Sequence, residues 1–275
     1  MNDNNIRLSA SEEELLNAAL NSEDANNNTD NSTLIPTNPN TINRDLSTAR
    51  FSGAEWYEQI QKESITVIGA GGIGSNFIFL ISRLKPCHIA IYDPDTVEDV
   101  NMAGQFFKYS NIGEKKATAI VNNIREFSQY YNVTSRTEFY DKSRIYRKIM
   151  VCGLDSMEAR KIAYYRWKEQ THDNIAKKCL FIDGRLSLDD FQIFAITGDD
   201  GRAMREYEDK WLFKDSEAEE LPCSQKQTTF MATMIASFMV NILINFVSNK
   251  VSAIKREVPF LTTYNSLTMF NKVVL

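Results

Sequence analysis

Cysteine is scarce and scattered in this sequence. Cys87, Cys152, Cys179 and Cys223 lie far apart without a CxxC pair, so structural zinc is not indicated and a reduced protein is expected. No positively charged, apolar leader opens the chain, which makes the cytoplasm the expected location. Nor is positive charge in excess. Lysine and arginine total 31 against 36 aspartates and glutamates, a net charge of -5. The whole-chain charge therefore gives no basis for gripping a polyanion, and nucleic acid is not an expected partner. No internal repeat is present.

One stretch lacks charge altogether. Residues 230–247, FMATMIASFMVNILINFV, are long and apolar enough to suggest a membrane span. Thr233, Ser237, Asn241 and Asn245 recur at every fourth position, which sets them on one stripe of an otherwise apolar helix. The expectation is a helix buried in a core or a dimer interface, with the stripe partnered inside, and no membrane contact.

The first 49 residues are also poor in apolar side chains, being rich in Asn, Thr, Ser and Asp. Only SASEEELLNAAL, from Ser9, offers a capped helical turn or two. This composition buries too little to order itself, so residues 1–49 read as a disordered tail. With 275 residues and 43% hydrophobic composition, the remainder can bury a sizeable core. Residues 50–275 are expected to form the folded domain.

From residue 65 short apolar runs alternate with longer helical patterns, which predicts βαβ units around a parallel sheet. Strands are expected at 65–68, 88–92, 133–139, 149–152, 180–182 and 191–196. Helices are expected at 73–84, 115–127 and 156–169. The fold class is α/β, a doubly wound, Rossmann-like, mostly parallel sheet.

The run VIGAGGIGSNFIFL begins on the first of these strands. Gly69, Gly71 and Gly74 fit GxGxxG between a strand and a helix, where glycine permits a tight turn and lets phosphate approach helix-start N–H groups. Asp93 ends the next strand nineteen residues past Gly74, where a carboxylate can take ribose hydroxyls. These features alone suit an NAD-dependent oxidoreductase as well as a mononucleotide-binding enzyme.

A loop of about twenty residues follows Asp93, far longer than an ordinary βα connection, and long loops in compact domains are commonly functional. In order along the chain come GxGGxGS, DxDxVxxxN ending at Asn101, GxxK from Gly113 to Lys116, and DSMEAR from Asp155 to Arg160. Together they resemble the ThiF/MoeB/HesA family of ubiquitin-activating-type adenylyltransferases, over about residues 50–247. The resemblance implies a sheet that binds ATP and Mg²⁺ and activates a C-terminal carboxylate as an acyl-adenylate, releasing pyrophosphate. The substrate would be a ubiquitin-like or sulfur-carrier protein, or a peptide, and the protein a homodimer. By similarity Gly69, Gly71, Gly72 and Gly74 cradle phosphate, Asp93 holds the ribose, Asn101 and Lys116 address the triphosphate, and Asp155 helps to hold Mg²⁺. Arg160 would brace Asp155 from the same helix. A lysine and a metal make physical sense, because two anions must meet and charge spreads over the phosphate in the transition state.

The departures from the family pattern are specific. Where many relatives read NLxRQ this chain reads NMAGQ, placing Gly104 at the arginine's position. The entry RYSRQ becomes RFSGA, keeping Arg50 but putting Gly53 in place of the second arginine. Arg125, Arg144 and Arg185 are the available substitutes. The family's zinc-binding CxxC pairs are missing. Cys223 stands where some relatives carry a cysteine that forms a thioester or acyl disulfide, and Lys226 nearby would lower its pKa. Three other functions stay open: a catalytically silent nucleotide-binding protein, a dehydratase acting on a transfer-RNA base, and an NAD-dependent oxidoreductase.

Overall fold

Strands SITVI, HIAIY and IMVC are almost continuously apolar, as interior strands of a sheet covered on both faces must be. In the computed structural model, which describes residues 46–141, 147–213 and 228–275, they are β1 (Ser64–Ile68), β2 (His88–Tyr92) and β4 (Ile149–Cys152). With β3 (Val133–Arg136), β5 (Leu180–Leu186), β6 (Asp190–Thr197), β7 (Leu261–Asn265) and β8 (Phe270–Val274) they form one eight-stranded sheet, ordered β3-β2-β1-β4-β5-β6-β7-β8. The pairs from β3 through β5 are parallel, and those from β5 to β8 antiparallel.

After a short turn of helix, α1 (Tyr57–Ile60), the chain enters β1. Helix α2 (Gly72–Ser82) then carries it from β1 to β2, and α3 (Lys116–Ser128) from β2 to β3. It returns to lay β4 on the other side of β1 and crosses to β5 through α4 (Met157–Lys168). The strand order therefore reverses between β1 and β4, and the crevice beyond their carboxyl ends is where such sheets bind ligands.

Alternation along the strands sorts the core into two layers. Val67, Ile91, Val151, Ile182 and Ile193 face α2, α3 and α6 (Thr229–Ser248). Ile68, Tyr92, Met150, Phe181 and Phe194 face α4 and the short α5 (Gly201–Glu206). The period of two thus makes a helix–sheet–helix sandwich, with the expected strands and crossover helices displaced by a residue or two at most ends. β3 is shorter than expected, and β7 and β8 extend the sheet beyond the strands that the sequence indicates.

Helix α6 meets the length and hydropathy of a membrane span, yet Met231, Ile235, Met239, Leu243 and Val247 are buried in the core, where α6 packs on α2, β5 and β6. The polar stripe meets the expectation of interior partners only in part. Thr233, Ser237 and Asn241 are exposed and Asn245 is half-buried. The Thr233 hydroxyl reaches the buried Asn76 Oδ1 of α2 at 3.1 Å as well as the Thr229 carbonyl at 2.9 Å, and Asn245 Nδ2 donates to the Glu257 carbonyl at 2.8 Å, whereas the Ser237 hydroxyl bonds one turn back to the Thr233 carbonyl at 2.9 Å.

Candidate functional site

A cavity of about 770 Å³ opens at the carboxyl edge of the sheet, lined from the ends of β1, β2, β4 and β5. Its floor is the turn from β1 into α2. Gly69 adopts φ +89, and a Cβ there would lie 2.7 Å from the Gly153 carbonyl oxygen. A Cβ on Gly74 would lie 1.9 Å from the Gly69 oxygen. These two glycines let the first turn of α2 press against β1 and β4. Gly71 is different: nothing lies within 4 Å of its Cβ position. It caps α2 without a side-chain bond, so helix-start N–H groups remain available to an anion. Gly69, Gly71 and Gly72 line the cavity, and Gly74 packs behind them.

Asp93, at the end of β2, is bound by the amides of Ala70 (2.6 Å, Oδ2) and Asp95 (2.8 Å, Oδ1). Burial pushes its carboxyl above the ordinary value, opposed by those two amides and by the nearby Lys116 charge. The long loop that follows is closed at its base. Val97 N–H donates to the Glu114 carbonyl (2.8 Å), Gly113 N–H to that of Val97 (2.9 Å), and Lys116 N–H to that of Asp95 (2.9 Å). This closure returns Lys116, the first residue of α3, to the cavity, where its Nζ lies 3.1 Å from Asp95 Oδ2.

Asn101 is placed elsewhere. It is not among the cavity-lining residues, and its Oδ1 accepts the Glu98 amide at 2.8 Å inside a capped 3-10 turn. Gln105 takes up a lining position from the same loop. Its Oε1 is buried with no hydrogen-bond partner among the described residues. Gly104 is buried against the start of α2, its carbonyl accepting from Asn76 Nδ2 at 3.4 Å, whereas Gly53 has open space around it and lies outside the cavity.

Across the cavity Asp155 and Ser156 precede α4, with Ser156 Oγ accepting from the Ala159 amide at 3.3 Å. Arg160 does not brace Asp155 as the sequence suggested. Its Nε donates to Asp183 Oδ1 at 2.8 Å, and its Nη2 to the Leu154 and Gly184 carbonyls. Asp183, fully buried in the middle of β5 beside the last residue of β4, also receives Arg185 Nε at 2.8 Å and the Tyr207 hydroxyl at 2.9 Å. Burial alone would raise the Asp183 pKa, but Arg160 and Arg185 together outweigh it and hold the carboxyl below its ordinary value. The strand expected at 180–182 stops one residue short of Asp183, and β5 runs on to Leu186; the Asp-Gly pair directly after an apolar run is the available clue to a charged residue inside the sheet.

Cys223, Lys226 and Arg144 lie outside the described residues. Cys152 is buried, and burial pushes its thiol well up, which suits a packing role. Arg125 is exposed on α3 and away from the cavity lining.

The topology and cavity define a doubly wound α/β protein whose principal site lies at the switch point of its sheet. Within that class the chain belongs to the ThiF family, whose model matches residues 42–274. It is 34% identical over 114 residues to the NEDD8-activating enzyme E1 catalytic subunit of Caenorhabditis elegans, covering 40% of this chain and 26% of that protein. To the ubiquitin-like modifier-activating enzyme 5 of Arabidopsis thaliana it is 31% identical over 97 residues, covering 35% and 22%. The chain therefore spans about a quarter of the length of these relatives. Among solved structures, PaaA superposes with a TM-score of 0.65 at 13% identity over 97% of this chain and 83% of that one. Escherichia coli MccB with ATP gives 0.62 at 14% over 86% and 72%. At such identities these two likenesses speak to the fold alone.

Proposed function

We propose that the protein is an ATP-dependent adenylyltransferase that activates the C-terminal carboxylate of a ubiquitin-like protein, sulfur-carrier protein or peptide. The observation that carries this reading is the convergence, on one cavity, of the open Gly71 cradle, Asp93, Lys116 and Asp155. Their types and positions suit a nucleoside triphosphate. The bare cradle accepts phosphate at a helix start, and the unpartnered Gln105 Oε1 is a buried acceptor that a ligand donor would satisfy.

ATP supplies the α-phosphate that a carboxylate oxygen attacks, with cleavage of the bond to pyrophosphate and formation of an acyl-adenylate. Asp93, fixed by two amides, is set to accept ribose hydroxyls. Lys116 brings a positive charge to the phosphates, released from Asp95 by competition. Asp155, ahead of α4, is the carboxylate suited to Mg²⁺, which commonly binds through one or two carboxylates together with substrate phosphates. The modifier-activating names of the relatives support the same reaction class.

The test is exchange of labelled pyrophosphate into ATP in the presence of candidate carboxylate partners. Exchange is expected with the cognate partner, and Lys116→Ala should lower it by about 10²–10³-fold, the scale of one lost transition-state donor. A second reading, a silent nucleotide-binding protein, is favoured by glycine at positions 53 and 104. Tight ATP binding with no exchange for any partner would select it.

A further inference from the structure

The carboxyl end of β5 carries a charge imbalance. Arg160, Asp183 and Arg185 form one bonded cluster, with side chains 8%, 0% and 13% exposed. Two guanidiniums on one carboxylate leave a net charge of +1 in a desolvated place, and such a charge is costly without an anionic partner. Among the described residues lining the cavity, the cations are Lys116, Arg160 and Arg185. Lys116 sits with Asp95 at the β2 end. Arg160 donates with Nη2 to the Leu154 and Gly184 carbonyls, tying the ends of β4 and β5 together, and its side chain is the more buried of the two guanidiniums.

Arg185 is the more open of the pair. Its Nε is bound to Asp183, and its Nη2 donates to the Trp211 carbonyl at 2.9 Å, while Nη1 donates to no described residue. The guanidinium is held between rings, 4.7 Å from the Phe194 centroid and 5.8 Å from those of Tyr207 and Phe213, so its orientation is fixed before any ligand arrives. In the sheet order β1-β4-β5, strand spacing puts this end about 10 Å from the glycine cradle. Phosphate at the cradle is already met by helix-start amides and Lys116, whereas among the described residues lining the cavity an incoming carboxylate has no other cation. Leu154 and Leu186, which line the same cavity, offer the apolar wall that the residue bearing that carboxylate needs.

We infer that Arg185, presented by Asp183 and assisted by Arg160, is the seat of the substrate's terminal carboxylate, taking over the charge that Gly104 and Gly53 do not supply. This rests on the adenylyltransferase reading. It makes Arg185 a binding residue and Arg160 a positioning residue. The shared chemistry is an oxyanion on a guanidinium, and both a carboxylate and the γ-phosphate of ATP offer one.

The experiment separates those sources. The full chain, saturated with Mg²⁺ and the non-reacting analogue AMPCPP, is titrated by fluorescence anisotropy with a labelled pool of randomised hexapeptides bearing free C-termini, and with the same pool amidated. The wild type should bind the free acids at least about tenfold more tightly, equivalent to about 1.4 kcal/mol. Arg185→Gln should abolish the difference, and Arg185→Lys should keep part of it, with AMPCPP affinity by calorimetry within about twofold of wild type for each folded variant. Should the Gln variant not fold, the Lys variant decides, since a single ammonium cannot keep the Asp183 and Trp211 bonds and also present the donor that Nη1 supplies, so the preference must shrink. No preference in the wild type, or a full preference in either variant, overturns the inference. A fall in AMPCPP affinity at unchanged acid-over-amide preference also overturns it and gives Arg185 to the triphosphate. A wild type that fails to bind AMPCPP removes the adenylyltransferase reading itself, and this inference with it.

Discussion

Gly71→Ala and Gly74→Ala differ by three positions in one turn, yet the structure assigns them opposite consequences. At Gly74 the added methyl would sit 1.9 Å from the Gly69 oxygen. Ordinary contact begins about 1.5 Å further out, and the obstacle is backbone, so α2 must move off β1 and Gly153. Overpacking of this kind typically costs about 1–3 kcal/mol when side chains can yield. Here no side chain can absorb the shift, and a loss of at least about 3 kcal/mol is expected. At Gly71 the methyl meets nothing within 4 Å, and φ is an ordinary -75. Reduced freedom of the unfolded chain is worth about 0.4–1 kcal/mol in its favour, offset by the poorer helix cap that alanine makes. Stability should stay within about 1 kcal/mol, while ATP binding weakens because the methyl projects from a cavity-lining residue. Urea unfolding and ATP calorimetry on both variants read the two effects separately. A Gly74→Ala protein as stable as wild type, or a Gly71→Ala protein that loses stability but binds ATP normally, would refute the reasoning.

Asp183→Asn should destabilise by about 3–5 kcal/mol, because two buried guanidiniums lose their counter-charge. Since Asp183 has a folded pKa below its ordinary 3.8, its contribution is fully present above that value and is lost as pH falls through the folded pKa, so denaturation curves of wild type and variant should converge only under strong acid. Asp93 has the opposite sign: its folded pKa lies above 3.8, so protonation favours the fold as pH falls through that raised value, while ATP affinity drops over the same window because the acceptor is lost. Calorimetry across mildly acidic pH checks this, and an affinity flat down to pH 3.8 would remove Asp93 from the site. Removal of residues 1–44, which precede the unit from Asp45 to Leu275, should leave the melting temperature unchanged; a marked fall would mean that the tail contributes to the core.

The parallel half of this fold is legible because its signals are local. VIGAGGIG announces a strand, a turn and a helix within one short window, and HIAIY and IMVC are apolar runs bounded by polar loops. β7 and β8 are not: LTTYN and FNKVV are half-polar, and β7 becomes a strand by pairing with β6 across a long separation in sequence, with β8 then folding back on β7. The polar stripe of α6 is only half legible for a related reason. A four-residue period gives a stripe but not the direction in which it faces, so Thr233 and Asn245 find partners on neighbouring elements while Ser237 bonds back to its own helix. At the site, Gly69, Asp93, Lys116 and Asp155 are recognisable because each stands at a strand end or helix start. The Arg160–Asp183–Arg185 cluster is not, since its two halves come from α4 and β5 and meet only after the β4-α4-β5 crossover is formed.

The central claim is most directly tested by titrating the full chain with Mg²⁺·ATP and with NAD in the calorimeter, alongside Asp93→Ala. ATP should bind more tightly than NAD, and the substitution should weaken ATP binding by about 1–3 kcal/mol, the cost of one lost buried acceptor. Tighter binding of NAD, or ATP affinity unchanged in Asp93→Ala, would contradict it.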